Sequence, residues 1–132
     1  MIRLTFTGDI LIEPEQKEAI CSHSDGFDTI FRNILSSFSL SNYIIGNLET
    51  PLAGEELVYS SHKWSFNTPD CLAESLKKAG FNLLTTANNH CLDRGKIGLL
   101  NTLKTLDRYG LEHIGTYAQK SDKEKIFIKD IG

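Results

Sequence analysis

The stretch that most restricts what this chain can fold into is Ala79–Gly95, AGFNLLTTANNHCLDRG. Its Ala79-Gly80 pair reads as a helix C-cap, where glycine supplies the positive φ that stops a helix. Phe81–Ala87 is a short apolar, Thr-rich run suited to a buried strand. The run breaks into Asn88-Asn89-His90, and Asp93 and Gly95 precede a new helical pattern. Strand, polar burst and helix in that order put polar groups at the carboxyl end of a strand, where open α/β sheets bind ligands. Two amides and an imidazole in a row are poor strand residues and poor helix-interior residues, so the trio reads as a site.

The rest of the chain supplies a frame for it. Ile2–Thr7 alternates apolar and polar residues up to Gly8 and predicts a first strand. Ile10–Ile12 continues apolar until Glu13-Pro14-Glu15 breaks it, and Cys21–Asp25 reads as polar loop. Phe27, Ile30, Phe31, Ile34, Leu35 and Phe38 recur at helical spacing and predict one amphipathic helix over Asp28–Phe38. Tyr43–Gly46 predicts a second strand that exits through Asn47-Leu48-Glu49-Thr50-Pro51, since the proline pushes Thr50 out of helical geometry. Ala53–Lys63 carries the weakest pattern, and Trp64-Ser65-Phe66 suggests a short edge strand. Thr68-Pro69 predicts an N-cap and first helical position, followed by the buried stripe Leu72, Ala73, Leu76 and Ala79. Ile97, Leu99, Leu100, Leu103, Leu106 and Tyr109 predict another helix, ended by Gly110. Glu112–Thr116 reads as a fourth strand, Gln119–Lys125 as a charged turn and Ile126–Ile131 as a fifth strand.

Strands separated by helices imply an α/β fold, layered, with a largely parallel sheet, right-handed crossovers and helices on both faces. With 132 residues the chain has room for one domain with a real core. Its last strand lacks a following helix, which reads as a domain cut short on its C-terminal side. The net charge of -3 gives no basic field and argues against sequence-independent nucleic-acid binding. No apolar run approaches the ~18 residues of a membrane span, and no secretory leader is legible. Three cysteines cannot all pair with one another and match no zinc spacing, so a reducing, cytoplasmic setting is favoured while the compartment stays open.

Three polar clusters end three predicted strands: Gly8-Asp9, Asn47-x-Glu49 and Asn88-Asn89-His90. In a parallel sheet those ends share one edge. Carboxylates and amide carbonyls are oxygen donors suited to Mg²⁺ or Mn²⁺, and a neighbouring histidine could be a ligand or a proton donor. Singly, Asp9 reads as a turn residue, Asn47 as a turn amide and Glu49 as a solvated carboxylate. Together they predict a shared site.

At these motifs a resemblance becomes specific. GDI at Gly8–Ile10, GNLETPL at Gly46–Leu52, F-x-x-P at Phe66–Pro69, the 79–103 block and Ile114-Gly115-Thr116 resemble the CapA family. These are bacterial capsule-synthesis proteins associated with poly-γ-glutamate, whose domain is similar to the calcineurin-like metallophosphoesterases. The resemblance runs from about Ile2 to Gly132. It implies the N-terminal half of a four-layer α/β/β/α domain. It implies Asp9, Asn47, Glu49 and Asn89 as metal-site residues and His90 as the catalytic residue that assists the leaving group. Asn88, Asp93 and Lys63 are the substrate-binding candidates. The cofactor implied is a divalent metal, Mn or Mg, with Zn or Fe as alternatives, incompletely held by this length of chain. The chemistry implied is metal-assisted attack of water on a phosphoester. Leu11 stands where the superfamily has a histidine and Asn47 where it has an aspartate, and the superfamily's last histidine ligands have no counterpart here.

Other residues read more plainly. Cys91 near a helix start is a formal nucleophile with no orienting partner. Cys21-x-His23 lacks a second pair of donors and reads as loop. His62-Lys63-Trp64 either contacts an anionic substrate or covers the core with Trp64, and His113 reads as structural. Two functions stay open: a metal-dependent phosphoesterase-like hydrolase, inactive at this length, or a non-catalytic accessory module that binds an anionic polymer or capsule-synthase partners. Open sheet edges imply self-association.

Overall fold

The computed structural model describes residues 1–54, 57 and 64–132. Its elements are β1 (Leu4–Ile10), α1 (Pro14–Cys21), α2 (Asp28–Phe31), α3 (Leu35–Phe38), β2 (Tyr43–Leu48), α4 (Cys71–Ala79), β3 (Leu83–Thr85), α5 (Gly95–Arg108), β4 (Glu112–Ile114) and a 3₁₀ turn at Lys120–Glu124. The four strands form one sheet in the order β1-β2-β3-β4, every neighbouring pair parallel. The α/β class and the parallel sheet are therefore as expected.

Alternation along the strands decides where the core lies. Ile44, Leu48 and Leu84 join Phe27, Phe31 and Phe38, together with Leu72, Leu76, Phe81, Leu106 and Leu111, in one buried cluster. The opposite side carries Tyr43, Ile45, Asn47, Leu83 and Thr85, and at its β1 edge Leu4 is 46% and Phe6 70% exposed. Sequential strand order sends each right-handed crossover over the same side of the sheet. Helices thus cover one side of this sheet and not both, a correction to the expected helices on both faces that follows from the sequential strand order and suits one half of a layered α/β/β/α domain.

A bulge in β1 changes which side its residues occupy. Phe6 pairs with Ile45 but Asp9 pairs with Asn47, so three steps on β1 match two on β2. The extra residue reverses the alternation. Without it Asp9 would point into the core and Ile10 away from it. With it, Ile10 joins the core beside Leu48, and Asp9 stands beside Asn47.

Several expectations are corrected. β1 runs through Gly8 to Ile10 instead of ending at Thr7. Glu13-Pro14-Glu15 opens a helix: Pro14 occupies the first turn, where its missing N–H costs nothing, and the Glu13 N–H donates to Gln16 Oε1 at 2.9 Å. The helix over 28–38 is two short ones, because the Ile34 N–H bonds Phe31 O in a tight i→i−3 turn and leaves Ile30, Ile34 and Leu35 exposed. Asp70, not Thr68, precedes α4; the Thr68 hydroxyl is shared with Thr50 at 2.9 Å. Residues 64–66 form no strand. Trp64 is 59% exposed, and Phe66 is the ring that is buried. No strand forms over 126–131, where Ile126 and Ile128 are 84% and 85% exposed.

α5 docks through small residues. The Thr102 hydroxyl accepts from the Leu52 N–H at 3.0 Å, and a Cβ on Gly98 would stand 3.1 Å from that of Ala53. Ile97, expected on the buried face, is 62% exposed. After β4, Gly115 takes φ +104 with room for no Cβ, since one would stand 2.9 Å from the Ala87 nitrogen. Only glycine lets the chain pass that close to the turn carrying Asn88.

The C-terminal segment is tied to the sheet by Lys129 Nζ, 2.7 Å from Glu112 Oε1, while the Tyr43 hydroxyl donates to Oε2 of the same carboxylate. Lys129 and then Tyr43 hold Glu112 below its ordinary value of 4.5. A depressed folded pKa stabilises above the unfolded value and is lost as pH falls through the folded one. Urea midpoints at about pH 6 and about pH 3 are therefore expected to differ less in Glu112→Gln than in the parent chain. An equal difference would show that this carboxylate does not contribute.

Candidate metal centre

The three strand-end clusters meet at one edge. Asn47 is the centre of the arrangement: its Nδ2 donates to Asp9 Oδ1 at 2.8 Å and to Glu49 Oε2 at 3.2 Å. Its Oδ1 accepts from the Thr85 hydroxyl at 3.1 Å and from Asn88 Nδ2 at 3.3 Å. Space for β2 here depends on Gly46, where an added Cβ would lie 2.8 Å from both the Ile10 Cδ1 and the Phe81 Cε1. Asn88 also donates to the Leu48 carbonyl at 2.8 Å and accepts from the His90 N–H at 3.1 Å, which shapes the turn after β3.

The two carboxylates are unlike. The Asn47 amide and then the Glu49 carboxyl hold exposed Asp9 below the ordinary carboxylate range. Burial, followed by the Asp9 carboxyl and its charge, pushes Glu49 up, with His90 opposing. Like charges brought together cannot ionise equally, so the more solvated one takes the charge.

His90 and Asp93 are only 15% and 13% exposed, with Nδ1 and Oδ2 2.9 Å apart. The same Oδ2 accepts from the Phe66 N–H at 2.7 Å, and the Phe66 ring meets the imidazole edge-on, centroids 4.7 Å apart. Arg94 donates to the Phe66 carbonyl at 3.0 Å and to the Ser65 carbonyl at 3.2 Å.

Asp9, Asn47, Glu49, Asn88 and His90 are thus brought together, and exposed Asn89 makes no side-chain hydrogen bond among the described residues. Asp93 is turned toward His90 and Phe66. Lys63, with His62, lies outside the described residues. Sequence reasoning missed Thr85, Phe66 and Arg94 as supports, because their roles run through backbone groups and one hydroxyl that no spacing announces. His23 Nδ1 accepts from the Asp25 N–H at 3.2 Å, which closes a turn, and His113 meets Asp107 at 3.1 Å.

The donor set is oxygen-rich, the chemistry preferred by hard divalent ions. Among the described residues no three His, Cys, Asp or Glu side chains form a ligand group by themselves. Asp9 and Glu49 are the two carboxylates joined at this edge by the Asn47 amide. No helix among the described residues is long and apolar enough to cross a membrane.

Comparison with known proteins agrees with this frame. The profile of the family described as bacterial capsule synthesis protein PGA_cap matches residues 3–132. The capsule biosynthesis protein CapA of Bacillus anthracis is 26% identical over 133 residues, covering 98% of this chain and 32% of its own length. The PGA biosynthesis protein CapA of Bacillus subtilis (strain 168) is 28% identical over 126 residues, covering 95% of this chain and 33% of its own. The chain spans about a third of the length of these relatives.

Proposed function

The chain belongs to the bacterial capsule synthesis protein family PGA_cap, and we propose that it forms the N-terminal part of a metallophosphoesterase-like site serving poly-γ-glutamate capsule synthesis. The observation that carries this reading is the convergence of Asp9, Asn47 and Glu49 through one amide, to which the turn carrying His90 is hydrogen-bonded through Asn88. Asp9, Glu49 and Asn89 would hold a divalent ion, Mn²⁺ or Mg²⁺, with Asn47 keeping the two carboxylates together. When bound, the ion supplies Lewis-acid polarisation of a phosphoester and activation of water. His90 handles the proton of the leaving oxygen. Phe66, edge-on to the imidazole, shields that ring from water.

Calorimetric titration with Mn²⁺ tests the reading, using this chain and a form carried to the length of the relatives. The longer form is expected to bind tightly and this chain weakly. Asp9→Ala should weaken binding in the longer form by more than ~100-fold, since outer-shell partners alone are worth 10- to 100-fold. Absence of binding in both forms, or indifference to Asp9→Ala, would overturn it.

One observation favours a second reading, a non-catalytic accessory module that binds an anionic polymer or synthase partners. The Asn47 amide bridges the two carboxylates, donating to Asp9 Oδ1 at 2.8 Å and to Glu49 Oε2 at 3.2 Å, so a group of the protein itself already occupies one oxygen of each. Such a module would lose polymer output on mutation without any hydrolysis to lose.

A further inference from the structure

Cys21 closes α1 and Cys71 opens α4, and both are exposed. The two helix ends are neighbours although residues 22–70 separate them in the chain. Ile20 and Leu72, which adjoin the two cysteines, pack in the same buried cluster. Cys21 lines a cavity whose wall includes Thr68 and Pro69. The Leu72 N–H donates to the Pro69 carbonyl at 3.0 Å, closing the turn that holds Cys71 directly after that wall. The electrostatics agree. Burial pushes the Cys71 thiol up, and the charge of Cys21 adds to this ahead of Asp70 and Glu74, carboxylates one and three positions away in sequence. A charge fades with distance, so a residue this remote along the chain outranks them by standing close in space.

Their surroundings give the two thiols different parts. Lys17, one turn back along α1, and Arg94 line the cavity with Cys21, so a thiolate there faces cations, the setting in which cysteine attacks. Cys71 is held as a thiol while Cys21 is charged beside it. Once the Cys21 sulfur is bonded to another sulfur, that charge is gone, and one of the obstacles to ionising Cys71 goes with it.

We propose that Cys21 and Cys71 are a dithiol pair that closes to a disulfide, a reversible staple joining the end of α1 to the start of α4. The oxidant is a small disulfide, glutathione disulfide being the probe. The Cys21 thiolate attacks one of its sulfurs, the S–S bond breaks, and one glutathione leaves as thiolate. Cys71 gives its proton to water and attacks the Cys21 sulfur, and the second glutathione leaves as thiolate. Two electrons pass from the protein to the small disulfide, which ends as two thiols. Ile20 is the only buried residue of α1, so the staple adds a covalent tie to a lightly anchored helix and removes freedom from the unfolded chain.

The test exposes the reduced chain to glutathione disulfide at about pH 8, near the ordinary thiol value. Free thiols are then counted and tryptic peptides weighed. The count is expected to fall from three to one, with peptide 18–32 joined to peptide 64–77 and Cys91 free in 79–94. Cys71→Ser should instead accumulate glutathione on Cys21 with no bond inside the chain. Dithiothreitol should restore all three thiols. The urea midpoint of the parent should be higher oxidised than reduced, a difference that Cys21→Ser abolishes. Three thiols retained, a linked peptide containing Cys91, or bonds only between chains would overturn the proposal. So would an oxidised parent whose midpoint is no higher than the reduced one. Both serine substitutions fall at exposed positions, and the parent's peptide map decides without them. No metal or substrate is added, so the pair and the hydrolase reading can fail separately.

Discussion

In a protein of the relatives' length, His90→Ala is expected to lower hydrolysis of a phosphoester by about 10²–10⁴-fold, the range a positioned acid or base contributes. The argument is local. The ring is held on one side by Asp93 at 2.9 Å and on another by Phe66 at 4.7 Å between centroids, so its freedom to turn is small. The backbone N–H of His90 is held by Asn88 Oδ1 at 3.1 Å, and Asn88 donates to Asn47 Oδ1 at 3.3 Å, so the turn that carries the ring is tied to the amide joining the carboxylates. Removing the ring leaves Asp9, Asn47 and Glu49 with their mutual hydrogen bonds, so Mn²⁺ affinity should change far less than turnover. Steady-state hydrolysis measured beside calorimetry separates the two effects. Hydrolysis unaltered by His90→Ala would remove the residue from the chemistry. Lost capsule polymer with no hydrolysis in either protein would favour the accessory module.

Leu76→Ala is expected to cost about 3–4 kcal/mol, within the range for fully buried leucines. Leu76 is 0% exposed and belongs to the same buried cluster as Phe81, Ile44 and Leu106. α4 cannot close the gap by moving, because its end is pinned by Gly80 at φ 101 and by a bond from the Phe81 N–H to the Leu76 carbonyl at 3.1 Å. That loss is a large part of the ~5–15 kcal/mol a domain commonly has. Leu4→Ala removes a similar side chain from the other side of the sheet, where Leu4 is already 46% exposed, and should change stability by less than about 0.5 kcal/mol. Urea midpoints compared at equal slope measure both. Equal losses would mean that the two sides of the sheet are buried alike.

Much of the fold was legible because burial writes a period into the sequence. Leu72, Ala73, Leu76 and Ala79 repeat at helical spacing and are all buried. The strand before Asn88 was recognised by its Thr-rich apolar run, although only Leu83–Thr85 pairs as strand. α1 was not legible, since Ile20 is its one buried residue and Pro14, a breaker elsewhere, serves as its opening. The run over 126–131 shows the reverse error. Its residues favour a strand, but a strand exists only when a neighbour accepts its hydrogen bonds, and β4 is the last in the sheet. At the candidate site, the residue types at the three strand ends were readable, and their convergence followed from parallel pairing. The details of contact were not. Which atom of Asn47 faces the carboxylates, and that Asp93 reaches back to Phe66, depend on rotamers and on a segment folded over from elsewhere.

The bulge in β1 has a consequence for how such chains are aligned. Between Phe6 and Asp9 the count of residues matters more than their kind, for an added Cβ at Gly8 meets nothing within 4 Å. A substitution there leaves the wiring intact. A gap of one position would exchange the places of Asp9 and Ile10, delivering a methyl group to the site and a carboxylate to the core. A relative that keeps the aspartate but lacks the extra residue has therefore lost the site, even though a letter-by-letter comparison would score it as retained.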